Sequence, residues 1–410
     1  MGKNLYSPGF LQDYNSIFIS LTCVHEVMSL IIDGIVLLMW RLTMRFSCDK
    51  NVILKEISVA QEIIASRNAL SILSNVLLEA DGDALTIKAT DLKVSFETRI
   101  PVVVETPGNT TVFCDKLLGI LRTLPDGEVQ FVQDDGDRLA ITNGNNINFH
   151  LHSISADKFP EIPETEETAF FSLPQKDFIG MVGQTIFAIS DDETRYFMNG
   201  VFMEKGEDRL VMVATDGRRL SYISNTPEGE VPEFEGIIIP PKVLNLIRKL
   251  ASGEGELKLA VADKILFARF DNQKVTSTLI DGQFPNYSRV IPDSQDYEFQ
   301  VNRGELIDAL RRVSLLADNK SKRVFLAVSG EKITLRSDES EIGEAEESIS
   351  CRYEGPDAEF ALNHAYLSDP LKVIEEDEVS MKFTETNKAI TMVSVPEASY
   401  FHIVMPMQME

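Results

Sequence analysis

The feature that most constrains this chain is a segment that occurs three times. The copies read FSCDKNVILKEISVAQEII from Phe46, FSLPQKDFIGMVGQTIFAI from Phe171 and FQVNRGELIDALRRVSLLA from Phe299. Each copy predicts a short strand, a polar capping residue and a helix with apolar residues at three- and four-residue spacing. The copies lie about 125 residues apart, an interval typical of a domain rather than of a solenoid repeat. The chain is therefore expected to contain three similar domains.

A second set of segments follows in the same register and predicts three hairpins. These read ALTIKATDLKVSFETRI, RLVMVATDGRRLSYI and KITLRSDESEIGEAEESI, each a strand, a polar turn and a strand. The turn acids Asp91, Asp216 and Asp338 belong to a residue type that bonds its own backbone in turns. Only the middle copy, VATDGRRL, places a glycine and two arginines after the acid. That turn is therefore the candidate for a function that the other copies lack.

A third set predicts a helix, a turn and a strand in each repeat. It reads CDKLLGILRTLPDGEVQFV, PPKVLNLIRKLASGEGELKLAV and NHAYLSDPLKVIEEDEVSMKF. Together the three sets predict an α+β fold of three repeated domains, each with two β-α-β-β-β modules. The expected bounds are residues 44–166, 167–296 and 297–410.

The first 43 residues have a different character from the rest of the chain. Their apolar run, Ser16 to Trp40, is interrupted by His25, Glu26 and Asp33, and it fits neither a spanning helix nor a signal peptide. Domain-like patterning begins at Met44. We expect Met44 to be the native start and residues 1–43 to be a non-native or unstructured leader. A membrane anchor is the alternative.

The chain carries a net negative charge, but its acidic and basic residues are unevenly distributed along the sequence. The net charge is −25, which by itself argues against nucleic acid as a partner. Many of the scarce cations nevertheless fall on the predicted helices, so one side of the molecule could tolerate phosphates. The four cysteines include no CxxC pair, which indicates a reducing compartment without a disulfide framework. We expect a cytoplasmic protein.

Motifs for catalysis are missing from the sequence. It contains no glycine-rich phosphate loop, no HExxH and no GxSxG. His150 and His152 could form a metal pair, and residues 191–193 an acidic cation site, but a strand surface and a loop explain them more simply. Asp216 lacks a nucleophile or base at fixed spacing. We therefore predict no catalytic residue, metal or cofactor, and a binding pocket in the middle repeat.

Several longer motifs resemble one protein family. RYFMNGVFME from Arg195, VATDGRRL, DGQFPNYSRVIP from Asp281 and the terminal IVMPM occur in order, with ADKFPEI in the first repeat. Over residues 44–410 the chain resembles the bacterial beta sliding clamp family, the processivity subunit of DNA polymerase III. The resemblance implies a head-to-tail ring dimer with sheets outside and helices lining the hole. Such a ring is not an enzyme. It encircles duplex DNA without sequence preference and tethers the replicative polymerase, the clamp loader and other replication and repair proteins.

The resemblance also implies positions for three kinds of site. A pocket for partner peptides would lie between the second and third domains, with Arg219 and Arg289 pairing with polar groups of the peptide. Its residues would be Met198, Thr215, Gly217, Arg218, Arg219, Leu220, Pro285, Arg289, Val290, Ala389, Ile403, Val404, Met405, Pro406 and Met407. DNA contacts would map to Arg67, Arg195, Tyr196 and Phe197. The dimer seam would place Phe149 and Leu151 of one chain against Leu315 and Leu316 of the other.

The chain departs from the family pattern at three of these places. Asp192 is acidic beside the DNA-contact motif, Ala389 lacks a hydroxyl, and Gln408 replaces a basic residue after the terminal motif. These changes predict a weaker phosphate contact, one missing hydrogen bond and a less positive pocket rim. The competing hypothesis is a membrane-tethered, repeat-built ligand-binding protein or enzyme with its site at Asp216, Arg218 and Arg219.

Overall fold

The computed structural model describes residues 44–64, 71–134, 137–144 and 146–409. The chain divides into two compact units, one ending at Ile162 and one beginning at Pro163. The predicted leader, residues 1–43, lies outside the described residues. Within the described residues no helix is both long enough and apolar enough to cross a membrane.

In the residues that the structure describes, the first unit combines two α-helices with an antiparallel sheet. Its strands follow the order β4-β3-β2-β6-β9-β8-β7-β1-β5. The helices are α1 (Lys50–Ile63) and α2 (Cys114–Thr123). The strands are β1 (Arg45–Asp49), β2 (Asn75–Asp81), β3 (Ala84–Thr90), β4 (Val94–Pro101), β5 (Val103–Thr106), β6 (Gly108–Phe113), β7 (Glu128–Asp134), β8 (Arg138–Asn143) and β9 (Ile147–Ile154).

The second unit contains the other two repeats. Its helices are α3 (Gln175–Thr185), α4 (Pro241–Leu250), α5 (Arg303–Val313) and α6 (His364–Val373). Its strands are β10 (Phe171–Pro174), β11 (Val201–Lys205), β12 (Leu210–Thr215), β13 (Arg219–Asn225), β14 (Ile237–Ile239), β15 (Glu256–Ala262), β16 (Ile265–Phe270), β17 (Gln273–Thr278), β18 (Tyr297–Asn302), β19 (Arg323–Ser329), β20 (Lys332–Ser337), β21 (Glu346–Ser350), β22 (Arg352–Tyr353), β23 (Ala358–Asn363), β24 (Glu378–Phe383), β25 (Ile390–Val395) and β26 (Tyr400–Val404).

One sheet explains why the second and third repeats form a single unit. It has nine strands in the order β14-β11-β12-β13-β26-β25-β24-β18-β22. Strands up to β13 come from the second repeat, and the strands after it come from the third. Smaller sheets, β10-β15-β16-β17 and β21-β20-β19-β23, complete the unit.

The helices form where the repeats predict them and bury one face each. In α1, Ile53, Ile57 and Ala60 are fully buried, at the spacing that one face of a helix requires. Asp49 caps this helix by accepting hydrogen bonds from the N–H groups of Asn51 and Val52. The predicted polar cap recurs at Asn302 before α5, but α3 begins after Pro174 without a side-chain cap.

The turn acids of the three hairpins behave in two ways. The Asp91 carboxylate accepts hydrogen bonds from the N–H groups of Lys93 (2.9 Å) and Val94 (2.7 Å), as predicted. The prediction is wrong for Asp338. Its carboxylate instead accepts two hydrogen bonds from the guanidinium of Arg323, both at 3.0 Å. Because Arg323, at the start of the neighbouring strand β19, binds both oxygens of the Asp338 carboxylate, this side chain pairs across strands rather than with its own turn.

Candidate functional site

The middle hairpin lies beside the C-terminus of the chain. Strand β13 pairs antiparallel with β26, so that Arg219 lies opposite Val404 and Leu220 lies opposite Ile403. The Met405 N–H then donates to the Arg218 carbonyl at 2.9 Å. This pairing brings the VATDGRRL turn and the terminal IVMPM motif together, although they are far apart in the sequence.

The turn itself is built by two side chains that bond the backbone. The Thr215 hydroxyl accepts from the Gly217 N–H at 3.0 Å, and Asp216 Oδ1 accepts from the N–H groups of Arg218 (2.9 Å) and Arg219 (3.1 Å). Gly217 has a φ of +86°, a backbone conformation that glycine adopts without a steric penalty. A Cβ at Gly217 would also lie 3.1 Å from Nη1 of Arg195. The backbone conformation therefore favours glycine, and a larger residue would also require the Arg195 side chain to shift.

Arg219 forms its hydrogen bonds inside the chain. Its Nε donates to Asp216 (3.1 Å), its Nη1 to Asp369 on α6 (2.8 Å) and its Nη2 to the Phe187 carbonyl (2.6 Å). Its guanidinium also lies 4.6 Å from the centre of the Tyr366 ring. The side chain is only 12% exposed. Sequence reasoning expected Arg219 to pair with a peptide; in this structure three of its five N–H donors have partners within the chain.

The C-terminal tail is fixed by contacts on both of its sides. Besides the bond from Met405 to Arg218, the Met407 N–H donates to the Ala361 carbonyl at 2.8 Å. Nη1 of Arg323 donates to the Gln408 carbonyl at 3.3 Å. The tail is therefore an ordered wall of the site.

A cavity of about 400 Å³ opens between the turn, the tail and helix α6. The expected site residues that line it are Arg218, Met405, Pro406 and Met407. Sequence reasoning missed Arg323, Asn363 and Tyr366, and it treated Gln408 only as a departure at the rim. Asn363 and Tyr366 begin the NHAYLSDPLKV helix segment. That pattern indicated a helix but could not show which element the helix start faces.

The other predicted pocket residues separate into buried and exposed groups. Leu220 and Ile403 belong to a buried apolar cluster against which Ala389 packs. Met198, Thr215 and Val404 are also buried. Pro285 follows β17, Arg289 and Val290 end a short 3₁₀ helix (Tyr287–Val290), and none of the three lines the cavity described above. Val290 is 49% exposed. Arg289 is exposed and makes no hydrogen bond or ion pair with any residue that the structure describes.

The residues expected to contact DNA differ in their exposure and in their hydrogen-bond partners within the chain. Arg67 lies outside the described residues. The Arg195 guanidinium donates to Asp192 (2.9 Å) and to the Asp216 carbonyl (2.9 Å). Hydrogen bonds from Thr194, followed by the bond from Arg195, lower the pKa of Asp192, which therefore stays ionised. Tyr196 is 55% exposed, whereas Phe197 packs against the apolar cluster. Tyr196 is thus the more exposed of the two aromatic rings.

The residues expected at a dimer seam are apolar and accessible in their own units. Leu315, after α5, is 80% exposed, and Leu316 is partly buried. Phe149 on β9 is 36% exposed, and Leu151 on the same strand is partly buried. His150 and His152 alternate with them on β9. Among the described residues no group of three or more possible metal ligands comes together.

The titratable groups in the interior are poorly suited to chemistry. Burial raises the pKa of the Cys48 and Cys114 thiols to about 12, so neither is a ready nucleophile. His402 on β26 is 1% exposed, and burial lowers its pKa to about 3. Its Nδ1 lies 3.0 Å from the Ser221 hydroxyl, and both side chains are buried in the sheet. Within the described part of the chain, these two thiols and this imidazole are therefore not activated as nucleophiles or bases.

The fold is a repeat-built α+β architecture, and the cavity lies in the unit where two repeats share one sheet. Comparison with protein families makes the assignment specific. Models of the DNA polymerase III beta subunit match in order: the N-terminal domain over residues 44–163, the central domain over 172–286 and the C-terminal domain over 288–408. The chain therefore belongs to the DNA polymerase III beta subunit family.

Individual relatives agree with this family. The beta sliding clamp of Treponema pallidum (strain Nichols) is 44% identical over 372 residues, covering 90% of this chain and 100% of the relative. The clamp of Escherichia coli K12 is 30% identical over 368 residues, covering 89% of this chain and 100% of the relative. A crystal structure of the Pseudomonas aeruginosa DnaN sliding clamp bound to griselimycin has a TM-score of 0.84 at 29% identity, covering 89% of this chain and 100% of that one.

These comparisons decide between the two hypotheses for the chain. The predicted α+β fold with three clamp domains and the predicted sliding-clamp function are confirmed. The family is a processivity factor rather than a catalytic subunit, in agreement with the prediction that the chain is not an enzyme. The membrane-tethered alternative is not supported.

Proposed function

We propose that two copies of this chain close head to tail into a ring around duplex DNA in the cytoplasm. The ring tethers the replicative polymerase subunit, and a clamp loader places it on DNA. Other clamp-binding replication and repair proteins use the same peptide site. Binding is topological and independent of sequence, and it requires no metal or cofactor. The three domains are taken as residues 44–166, 167–296 and 297–410.

The observation that carries this proposal is the ordered match of all three family domains between residues 44 and 408. A chain that retains every domain of the ring-forming relatives has the parts from which such a ring is made. The net charge of −25 is compatible with this function, because a closed ring is retained by its topology and needs no strong grip on phosphates.

The proposed seam is supported by exposed apolar side chains. Leu315 is 80% exposed, and Ile342, in the loop between β20 and β21, is 87% exposed. A Cβ on the neighbouring Gly343 would lie 3.8 Å from the Leu316 side chain, so this loop lies against the seam residues. Exposed apolar side chains that adjoin one another are typical of interaction surfaces. We propose that Phe149 and Leu151 of the second copy pack against these exposed side chains.

For the peptide site, we propose two layers. The contact layer consists of exposed or partly exposed residues, and the supporting layer consists of residues that are buried or, for Arg219 and Ala389, partly buried. Contacts are assigned to Gly217, Arg218, Pro285, Arg289, Val290, Met405, Pro406 and Met407. Support is assigned to Met198, Thr215, Arg219, Leu220, Ala389, Ile403 and Val404. Arg195, Tyr196, Phe197 and Arg67 are kept as the proposed DNA-facing group, with Tyr196 as its stacking residue.

The dimer is tested by Leu316→Asp, measured by light scattering. We expect this variant to be a monomer, because pairing would bury an uncompensated carboxylate in the seam. The control is Leu92→Asp, since Leu92 is 58% exposed in a hairpin turn and is not one of the proposed seam residues. The control should have the mass of a dimer. A dimeric Leu316→Asp protein would contradict the proposed seam.

A further inference from the structure

The cavity beside the C-terminal tail is positively charged in an acidic protein. The chain contains 64 acidic and 39 basic residues. Among the described residues that line the cavity, two are arginines and none is an aspartate or glutamate; they are Arg218, Arg323, Asn363, Tyr366, Met405, Pro406, Met407 and Gln408. This composition is opposite to that of the chain as a whole.

The two arginines are not equivalent. Arg323 is neutralised by Asp338 through two hydrogen bonds of 3.0 Å, and it also donates to the Gln408 carbonyl. The guanidinium of Arg218 is exposed and makes no hydrogen bond or ion pair with the described residues. The nearest acid in the turn is Asp216, whose carboxylate already accepts bonds from two backbone N–H groups and from Arg219. Arg218 therefore supplies the unneutralised charge.

Asn363, which also lines the cavity, offers a hydrogen-bond donor as Arg218 does. The Asn363 side-chain oxygen accepts from the Ala365 N–H at 2.9 Å, where it caps helix α6. Its amide nitrogen remains as the donor of that side chain. A ligand group that satisfies both an unpaired guanidinium and an amide N–H must be an acceptor, and the guanidinium favours a negative one.

We propose that this cavity selects partner peptides that carry an acidic side chain, glutamate or aspartate, next to their apolar anchors. Arg218 is the residue that determines this preference. The inference rests on the proposed peptide site and specifies its ligand chemistry. Because Arg218 is exposed, water and salt screen the pair, and we expect about a fivefold gain in affinity rather than an absolute requirement.

The test uses fluorescently labelled, capped peptides that have no free terminal carboxylate. One set places X directly before a short segment with leucine and phenylalanine anchors and the other places X directly after the same segment, where X is glutamate, glutamine or lysine. Dissociation constants are measured by anisotropy with the full-length protein. In one of the two sets, the glutamate peptide should bind about fivefold more tightly than its glutamine twin, and the lysine peptide should bind most weakly.

Two variants assign the effect to a residue. In Arg218→Gln, the ratio of the glutamine to the glutamate dissociation constant should fall to about one. Arg248→Gln is the matched control, since Arg248 is exposed on α4 and does not line the cavity. It should keep the ratio of the unmodified protein. Raising the salt concentration should reduce the preference.

The outcomes separate this inference from the proposed function. Equal binding of the glutamate and glutamine peptides in both sets would overturn the inference and leave the peptide site intact. A preference that persists in Arg218→Gln would overturn the assignment to Arg218. Failure of every peptide to bind would overturn the peptide site and the inference together.

Discussion

Arg219 holds together three segments that are distant in the sequence. It joins the Asp216 turn, the Phe187 carbonyl and Asp369, which is 150 residues away. A guanidinium that is 12% exposed requires partners for its donors, because burying an uncompensated charge is costly. This side chain therefore adds to the contacts between the second and third repeats that the shared sheet provides.

Removing a partner of Arg219 should destabilise the second unit. In Asp369→Ala, Nη1 of Arg219 loses an acceptor, and we expect the free energy of unfolding to fall by about 1–3 kcal/mol. Urea denaturation is the measurement. Asp208→Ala is the control, because Asp208 is 69% exposed in its pair with Arg209 and should change stability by less than about 0.5 kcal/mol. Equal effects of the two substitutions would show that the Arg219 contacts contribute little.

His402 should make the stability depend on pH. In the folded chain its pKa is lowered to about 3 by burial, whereas an unfolded histidine has a pKa of about 6.5. Below about pH 6.5 the unfolded state therefore binds more protons, and stability falls as the pH falls towards about 3, by at most about 1.4 kcal/mol per pH unit.

The measurement compares the unmodified protein with His402→Gln between about pH 5 and 7, above the ordinary titration range of carboxylates. Chemical denaturation at several pH values gives the slope for each protein. The variant should lose stability less steeply on acidification. Identical slopes would mean that His402 does not remain neutral in the folded chain.

Local chemistry explains which residue roles were predictable. Asp91 and Asp216 bond backbone groups two and three residues ahead, so their sequence neighbours were sufficient to predict them. The partner of Asp338 is Arg323, on another strand, and the partner of Arg219 is Asp369, on a distant helix. Such partners are set by sheet register and helix position, which no short motif encodes.

Helix and strand elements followed their patterns closely, apart from one cap. Asp49 and Asn302 cap helices as predicted. In the second repeat, Pro174 occupies the cap position. The Gln175 side chain there accepts from the Gly253 N–H at 3.1 Å instead of serving its own helix. Gln175 thus bonds a residue 78 positions away in the sequence instead of capping its helix. The sequence around Pro174 could not indicate this distant partner.

The C-terminal tail is the element whose removal should separate peptide binding from assembly. A chain ending at Val404 loses the bonds from Met405 to Arg218 and from Met407 to Ala361, together with a wall of the cavity. We expect peptide binding to be lost and the dimer to persist. Anisotropy and light scattering measure the two properties.

The matched control for that deletion is a chain ending at Gln408. It keeps all of the tail contacts and should retain peptide binding. Loss of the dimer in the chain ending at Val404 would show that the tail supports assembly rather than partner recognition alone.

At the scale of the whole molecule, three cations on the helices are engaged by partners within the chain. Lys50 is buried and bonded to Asp126 and the Leu124 carbonyl. Arg303 donates to two backbone carbonyls, and Arg312 pairs with Glu347. Cations that are engaged in this way contribute little to phosphate binding. A weak electrostatic hold agrees with a ring that is retained by topology and free to slide.

Topological binding is tested by measuring how much of the protein stays bound to DNA when a circle is opened. The protein beginning at Met44 is loaded with a clamp loader and ATP onto a nicked circle, and the circle is then cut. We expect stable binding to the circle and rapid release once the DNA is linear. Equal retention on circular and linear DNA would contradict it, because ordinary phosphate or groove binding does not depend on closed ends.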